Sequence, residues 1–191
     1  PRGKGLIDSF HPLYRGVFGF AGHDSASDAL KMDSADRVVA IGTALDEVST
    51  CGWDPTTILS DRLIHISNNP THLSRSTMAK LVVFGSPEFL FESLAETWGL
   101  GSKRQTSGSI SSDECLPVDT SFDEPDKCFD RSGLIKCQSL MTYLSLVCPQ
   151  DARVLMDTGN SFLWGIHYWN VRRPKEMPLK TNHFHIGLGF A

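Results

Sequence analysis

The feature that most constrains this chain is a series of short apolar runs, each followed at once by glycine or small polar residues. The first three runs are residues 37–41, 63–66 and 81–84, and all are rich in branched aliphatic side chains. Segments long enough for a helix separate and follow these runs. Pro87 begins the segment after the third run, at a position that suits a first helical turn. This alternation predicts an α/β fold in which flanking helices cover a parallel sheet.

The residues that follow the predicted strands are the first candidates for a binding site. Ligands of Rossmann-like parallel sheets bind beyond the carboxyl ends of the strands. Gly42, Thr43, Ser67 and Gly85 fall there. Glycine lets a ligand approach the backbone and hydroxyl groups can bond to it, so these residues predict a nucleotide groove. Turn formation alone also explains such residues, and both interpretations stay open.

The second half of the chain has a different organisation. Residues 101–130 are rich in Ser, Asp, Gly and Pro, which predicts a linker. An apolar helix ending at Pro149 and a fourth strand over 152–156 should follow. We therefore predict a partial central domain at residues 1–100, a linker at 101–132 and the start of a second α/β domain at 133–191.

Composition excludes several classes of function. The net charge of −4 argues against binding to a nucleic-acid backbone, and no apolar run approaches the roughly 20 residues that span a bilayer. The five cysteines form no CxxC pair, so we expect reduced thiols in a cytoplasmic protein and no metal site. His11, His23 and His65 are interpreted as structural, and no hydrolase or P-loop motif supplies catalytic residues. "GVFGFAG" (16–22) could line a nucleotide groove or form a plain glycine-rich loop.

Several stretches, taken in order, resemble one known family. "PRGKGLIDSFHPLYRGVFGFAGHDSASDAL", "ADRVVAIGTALDEVST" and "RLIHISNNP" resemble the central domain of thiamine-diphosphate-dependent enzymes, the group of acetohydroxyacid synthase, pyruvate oxidase and benzoylformate decarboxylase. "LSLVCPQDARVLMDTGNSFLWGIHYW" and "HIGLGF" resemble the opening of the diphosphate-binding domain of the same enzymes.

The resemblance implies a cofactor, a substrate class and an assembly. Thr158, Gly159, Asn160 and Ser161 match the family's loop against the diphosphate of thiamine diphosphate. The intact enzyme would use this cofactor with Mg²⁺ to decarboxylate a 2-oxo acid, and then protonate the product or join it to a second carbonyl compound. Family members form dimers or tetramers, so the resemblance also implies a homo-oligomer.

The chain also departs from the family pattern. It has no match to the pyrimidine-binding domain with its glutamate, or to the Gly-Asp-Gly…Asn magnesium motif, so we expect a fragment that is inactive alone. Where flavin-binding relatives read Ile-Asp-x-Asp-Pro, this chain reads Ile66 to Pro70 without either carboxylate, so we expect no FAD. A non-catalytic nucleotide-binding module and a purely structural domain remain as alternatives.

Overall fold

The computed structural model describes residues 3–99, 116–117, 119–149, 152, 154–156 and 159–172. Its contacts group the chain into two compact units. The sheet unit comprises residues 28–109, and the discontinuous unit combines residues 1–27 with 110–191. The domain boundaries predicted after residues 100 and 132 stay predictions.

A parallel three-stranded sheet forms the centre of the sheet unit. Its strands are β1 (Val38–Ile41), β2 (Leu63–Ser67) and β3 (Leu81–Phe84), in the order β1-β2-β3. In register, Val38 lies opposite Leu63 and Ile64 lies opposite Leu81. The sheet with its flanking helices confirms the predicted Rossmann-like α/β fold, and all three predicted strands are present to within one residue at either end.

The burial of the strands explains the positions of the apolar residues. β2 is the central strand, and four of its five residues are buried. In β1 the side chains of Val38 and Ala40 are buried, whereas Val39 and Ile41 on the opposite face are about half exposed. The alternation follows from the two-residue period of a strand, which directs successive side chains to opposite faces.

Three helices precede or follow the strands along the chain. Helix α1 is Asp24–Leu30, α2 is Pro70–Leu73 and α3 is Pro87–Thr97. The side chain of Asn69 caps α2 by accepting the N–H of Thr71 at 2.9 Å. α3 begins with Pro87 in its first turn, as predicted, because the fixed φ of proline suits that position and its missing N–H would have no helical acceptor there.

A buried arginine fastens the loops before β1 and β2. The guanidinium of Arg62, only 7% exposed, donates four hydrogen bonds to backbone carbonyls. The acceptors are Leu30 and Lys31 at 3.0 Å, Ala35 at 2.6 Å and Thr57 at 2.9 Å. The planar fork of arginine can serve several acceptors at once, so one side chain ties together three separate stretches of backbone.

The regular elements of the discontinuous unit include two helices and two 3₁₀ turns. Helix α4 is Cys137–Val147 and helix α5 is Asn160–Tyr168, while the turns are Lys4–Leu6 and Pro125–Cys128. The predicted apolar helix before Pro149 is confirmed as α4. Trp169 and Val171 form a small core with four partly buried residues, namely Met141, Cys148, Val154 and Met156.

The predicted fourth strand was wrong for the residues that the structure describes. Ala152 and residues 154–156 belong to no strand, and α5 begins a few residues later. Met156 packs closely against α5, since a Cβ atom at Gly165 would overlap its Sδ, whereas Leu155 is largely exposed. A short apolar run alone does not distinguish a strand from such a segment.

Within the described ranges, no helix is long and apolar enough to cross a membrane. The four cysteines that the structure describes, Cys51, Cys128, Cys137 and Cys148, all carry free thiols.

Candidate functional site

The four predicted groove residues meet at one edge of the sheet. Gly42 follows β1 and Gly85 follows β3, while Ser67 is the last residue of β2. The N–H of Gly42 donates to the carbonyl of Ile66 at 2.8 Å, and the N–H of Gly85 donates to that of Ser67 at 3.1 Å. A Cβ atom at Gly42 or Gly85 would have no neighbour within 4 Å, so this edge leaves the backbone open to approach.

The buried His65 fixes the position of Thr43 at this edge. Its Nε2 lies 3.1 Å from the carbonyl oxygen of Thr43, which can only accept, so Nε2 carries the hydrogen. Its Nδ1 lies 2.8 Å from the hydroxyl oxygen of Ser76, and that hydroxyl donates to the carbonyl of Leu73 at 2.9 Å. Burial lowers the pKa of His65 and keeps the ring neutral. The prediction that His65 is structural is confirmed by these contacts, and the ring links β2 to the residues after β1.

The hydroxyl of Ser67 is already used within the sheet unit. Its Oγ accepts the N–H of Asn69 at 3.1 Å and lies 3.5 Å from Nδ1 of His72. Thr43 likewise accepts the N–H of Leu45 at 3.2 Å through its hydroxyl. Both hydroxyls therefore support local turns and Ser67 is fully buried, so the contacts that remain for a ligand at this edge come from the backbone.

The predicted diphosphate residues belong to the discontinuous unit. Thr158 lies outside the described residues. Gly159 is the N-cap of α5, and Asn160 and Ser161 form the first turn of that helix, not a loop after a strand as predicted. The helix begins here because the carbonyl of Gly159 accepts the N–H groups of Phe162 at 3.1 Å and Leu163 at 3.3 Å.

The backbone of Gly159 has a conformation that side chains disfavour. Its φ is 135° and its ψ is −166°, a region that is essentially restricted to glycine. A glycine N-cap offers no side-chain acceptor for the first N–H groups of α5, and the first turn contains no acidic residue. Among the described residues, the start of α5 presents the positive end of the helix dipole and no acidic side chain in its first turn, and both features suit an anion.

A metal site is not formed by the described part of the chain. No group of three or more His, Cys, Asp or Glu side chains there could hold a metal ion. The first turn of α5 likewise contains no carboxylate, so a diphosphate fits this helix start whereas Mg²⁺ would need carboxylate ligands from elsewhere.

Sequence reasoning missed two buried ionisable residues of the discontinuous unit. Lys4 is 4% exposed and donates to the carbonyl of Ile166, and His167 is 5% exposed. The "GKG" at residues 3–5 belongs to the stretch that carries the family resemblance but does not indicate a buried lysine, and nothing near His167 in the sequence marks it. Their contacts join residues more than 140 positions apart, which no local pattern can indicate.

Two comparisons with known proteins bear on this site. Residues 1–95 match the family model of the thiamine pyrophosphate enzyme central domain. The chain is also similar to the acetolactate synthase large subunit of Cyanidium caldarium, with 21% identity over 177 residues. That similarity covers 91% of this chain but only 29% of the relative's length. Residues 1–95 are therefore similar to the central domain of the thiamine pyrophosphate enzymes.

Proposed function

We propose that the intact protein is a thiamine-diphosphate- and Mg²⁺-dependent enzyme that decarboxylates a 2-oxo acid or joins the product to a second carbonyl compound, as an acetolactate synthase does. This chain would supply central-domain and diphosphate-contacting parts and would be inactive alone. The observation that carries the proposal is the glycine-capped start of α5, which lies in the stretch that resembles the family's diphosphate-binding segment.

The chemistry of this helix start supports a diphosphate ligand. Gly159 lets an anion approach the backbone, and the N–H groups of Asn160 and Ser161 can donate to its oxygens. The hydroxyl of Ser161 and the amide of Asn160 are exposed and add further donors. Thiamine diphosphate supplies the carbanion-stabilising chemistry of decarboxylation, and the residues of this chain would bind and orient its diphosphate.

The proposal also covers the location, assembly and size of the intact protein. It would act in the cytoplasm, consistent with the free thiols of the described cysteines, and as a homo-oligomer with a 2-oxo acid as substrate. Because the chain spans only 29% of its relative, the natural protein should have about three times the mass of this chain. Intact-mass spectrometry of the natural protein tests this, and a mass equal to that of this chain would contradict it.

Substituting Gly159 or Ser161 tests the diphosphate contact. In the intact protein with Mg²⁺ present, Ser161→Ala should weaken thiamine diphosphate binding by about tenfold, the loss of one hydrogen bond to a charged group. Gly159→Val should weaken it further, because the side chain crowds the phosphate and disfavours the backbone conformation. Isothermal titration calorimetry measures both.

A matched serine elsewhere provides the control for this titration. The exposed hydroxyl of Ser74 donates to the carbonyl of Thr71, so Ser74→Ala makes the same chemical change in the sheet unit. Its affinity for thiamine diphosphate should equal that of the wild type. Unchanged affinity in Ser161→Ala and Gly159→Val, with circular dichroism showing an intact fold, would remove the proposed site.

The edge formed by Gly42, Thr43, Ser67 and Gly85 supports a second candidate, a nucleotide-binding module without catalysis. The observation that favours it is the open space around both glycines at the carboxyl ends of parallel strands. A rise in the melting temperature of the chain with ADP, NAD or FAD would support this candidate. A rise with FAD would in addition contradict the expectation that the groove binds no flavin.

A further inference from the structure

Two histidine rings stack face to face inside the discontinuous unit. The ring centroids of His23 and His167 lie 4.4 Å apart with an angle of 21° between their planes. Phe122 meets both rings edge-on, at 5.2 Å and 5.8 Å. Each histidine is at most 5% exposed, so the pair is enclosed by protein. The stack joins the loop before α1 to the last turn of α5.

All four ring nitrogens have backbone partners that fit only neutral rings. Nδ1 of His23 accepts the N–H of Val17 at 2.9 Å, so its Nε2 carries the hydrogen and donates to the carbonyl of His167 at 2.9 Å. Nε2 of His167 accepts the N–H of Asp123 at 2.9 Å, so its Nδ1 donates to the carbonyl of Gly22 at 3.0 Å. The two rings are thus opposite tautomers.

Adding a proton to either ring would break this arrangement. The new hydrogen on His23 would point at the N–H of Val17, and the one on His167 would point at the N–H of Asp123. Two donors would then face each other, and one buried backbone N–H would lose its acceptor. Two protonated rings at stacking distance would also repel each other.

The charged neighbours of the stack have opposite effects on the pKa values of the two rings. The buried amine of Lys4, on the Lys4–Leu6 turn, opposes a positive charge on either ring. The carboxylate of Asp123, on the segment that contacts His167, favours one. Tyr168, whose ring centroid lies 4.5 Å from that of His167, stays protonated because burial raises its pKa. Burial lowers the pKa of His23 to about 3 and also lowers that of His167.

We propose that the His23–His167 stack is an acid-sensitive latch for helix α5: neutral rings hold α5 to the loop that ends at Gly22, and protonated rings release it. The latch acts at the far end of the helix that begins at Gly159, and it requires no ligand. Its failure and the failure of the cofactor proposal are therefore separate results.

The direction of the pH dependence follows from the lowered pKa values. A base whose pKa is lower in the folded state stabilises that state above its ordinary pKa near 6.5 and loses this contribution as the pH falls below it. For His23, with a folded pKa of about 3, opening of α5 should become about thirtyfold more frequent between pH 7.5 and pH 5.0. Lys4, with a folded pKa of about 7, acts mainly between pH 7 and 10.5, a range that overlaps this window only between pH 7 and 7.5.

Hydrogen–deuterium exchange of the 191-residue chain tests the latch. We compare protection factors of the amides in α5, corrected for intrinsic exchange, at pH 7.5 and 5.0. Between pH 7.5 and pH 5.0 the protection factors of the wild type should fall at least about thirtyfold. In His23→Gln, which cannot titrate at this position, the fall should be smaller by a factor of about thirty. His11→Gln is the matched control, because His11 is an exposed histidine of the same unit, and it should behave like the wild type.

The same measurement separates the latch from general acid sensitivity. His65 is also buried and neutral, but it belongs to the sheet unit, so its protonation should change exchange in β2 and not in α5. Equal protection of α5 at both pH values, or an unchanged loss in His23→Gln, would overturn the proposal. If His23→Gln does not fold, the ring resonances of wild-type His23 decide by NMR, since titration near pH 6.5 in the folded chain would overturn it.

Discussion

Replacing Gly22 with alanine should destabilise the discontinuous unit by about 3 kcal/mol or more, the range expected when a substitution breaks backbone packing and hydrogen bonds together. A Cβ atom there would overlap the carbonyl oxygen of Val17 and come within 2.7 Å of that of Gly19. Both are backbone atoms, so no side chain can move aside. Both also accept hydrogen bonds, from His23 at 2.8 Å and from Gly22 at 2.9 Å. The loop must open to admit the methyl group, and His23 would then leave the stack.

Urea denaturation followed by hydrogen exchange measures this effect and locates it. Gly85→Ala is the control, since a Cβ at Gly85 meets nothing within 4 Å and should change the stability by less than about 0.5 kcal/mol. A midpoint for Gly22→Ala that equals that of the wild type would show that the loop adapts. That result would also weaken the case for a rigid His23.

Replacing Arg62 with lysine should have the largest effect in the sheet unit, about 3 kcal/mol. Four carbonyls, those of Leu30, Lys31, Ala35 and Thr57, lie within 3.0 Å of the guanidinium nitrogens. A lysine ammonium is a single point with three donors, so at least one buried carbonyl would lose its partner and the others would be poorly aligned. Each buried acceptor left without a partner costs about 1–3 kcal/mol.

Arg37→Lys controls for the change of residue type. The guanidinium of Arg37 is exposed and donates to the carbonyl of Asp36, so the substitution should change the free energy of unfolding by less than about 0.5 kcal/mol. Hydrogen exchange should show faster opening of β1 and β2 in Arg62→Lys. Equal stability of the two lysine variants would mean that water can replace the guanidinium.

Local chemistry explains why the sheet could be predicted. β1, β2 and β3 are apolar runs that end at glycine or small polar residues, and α3 begins at a proline. Neighbouring residues in the sequence therefore indicate each boundary. α4 was predictable for the same reason, because a long apolar segment ends before Pro149. The groove residues followed from topology, since parallel strands bring their carboxyl ends to one edge.

The start of α5 shows where local reasoning fails. Gly159, Asn160 and Ser161 are typical of loops, and the aromatic residues and Gly165 that follow have weak helix propensity. The helix packs closely on a residue outside it, because Gly165 admits the side chain of Met156. The His23–His167 stack and the buried Lys4 depend on partners 144 and 162 residues away. Lysine is moreover almost never buried in proteins, so its residue type predicts an exposed side chain at position 4.

The discontinuous unit has a consequence for how the chain is made. Its first 27 residues find long-range partners late in the chain, through the bonds of Lys4 to Ile166, Ser9 to Val171 and His23 to His167. A ribosome adds about 5–20 residues per second, so the amino-terminal segment must wait roughly ten to thirty seconds for these partners. The sheet unit, whose residues are contiguous, can fold during that interval. Synthesis therefore imposes an order in which the sheet unit folds first and the discontinuous unit folds last.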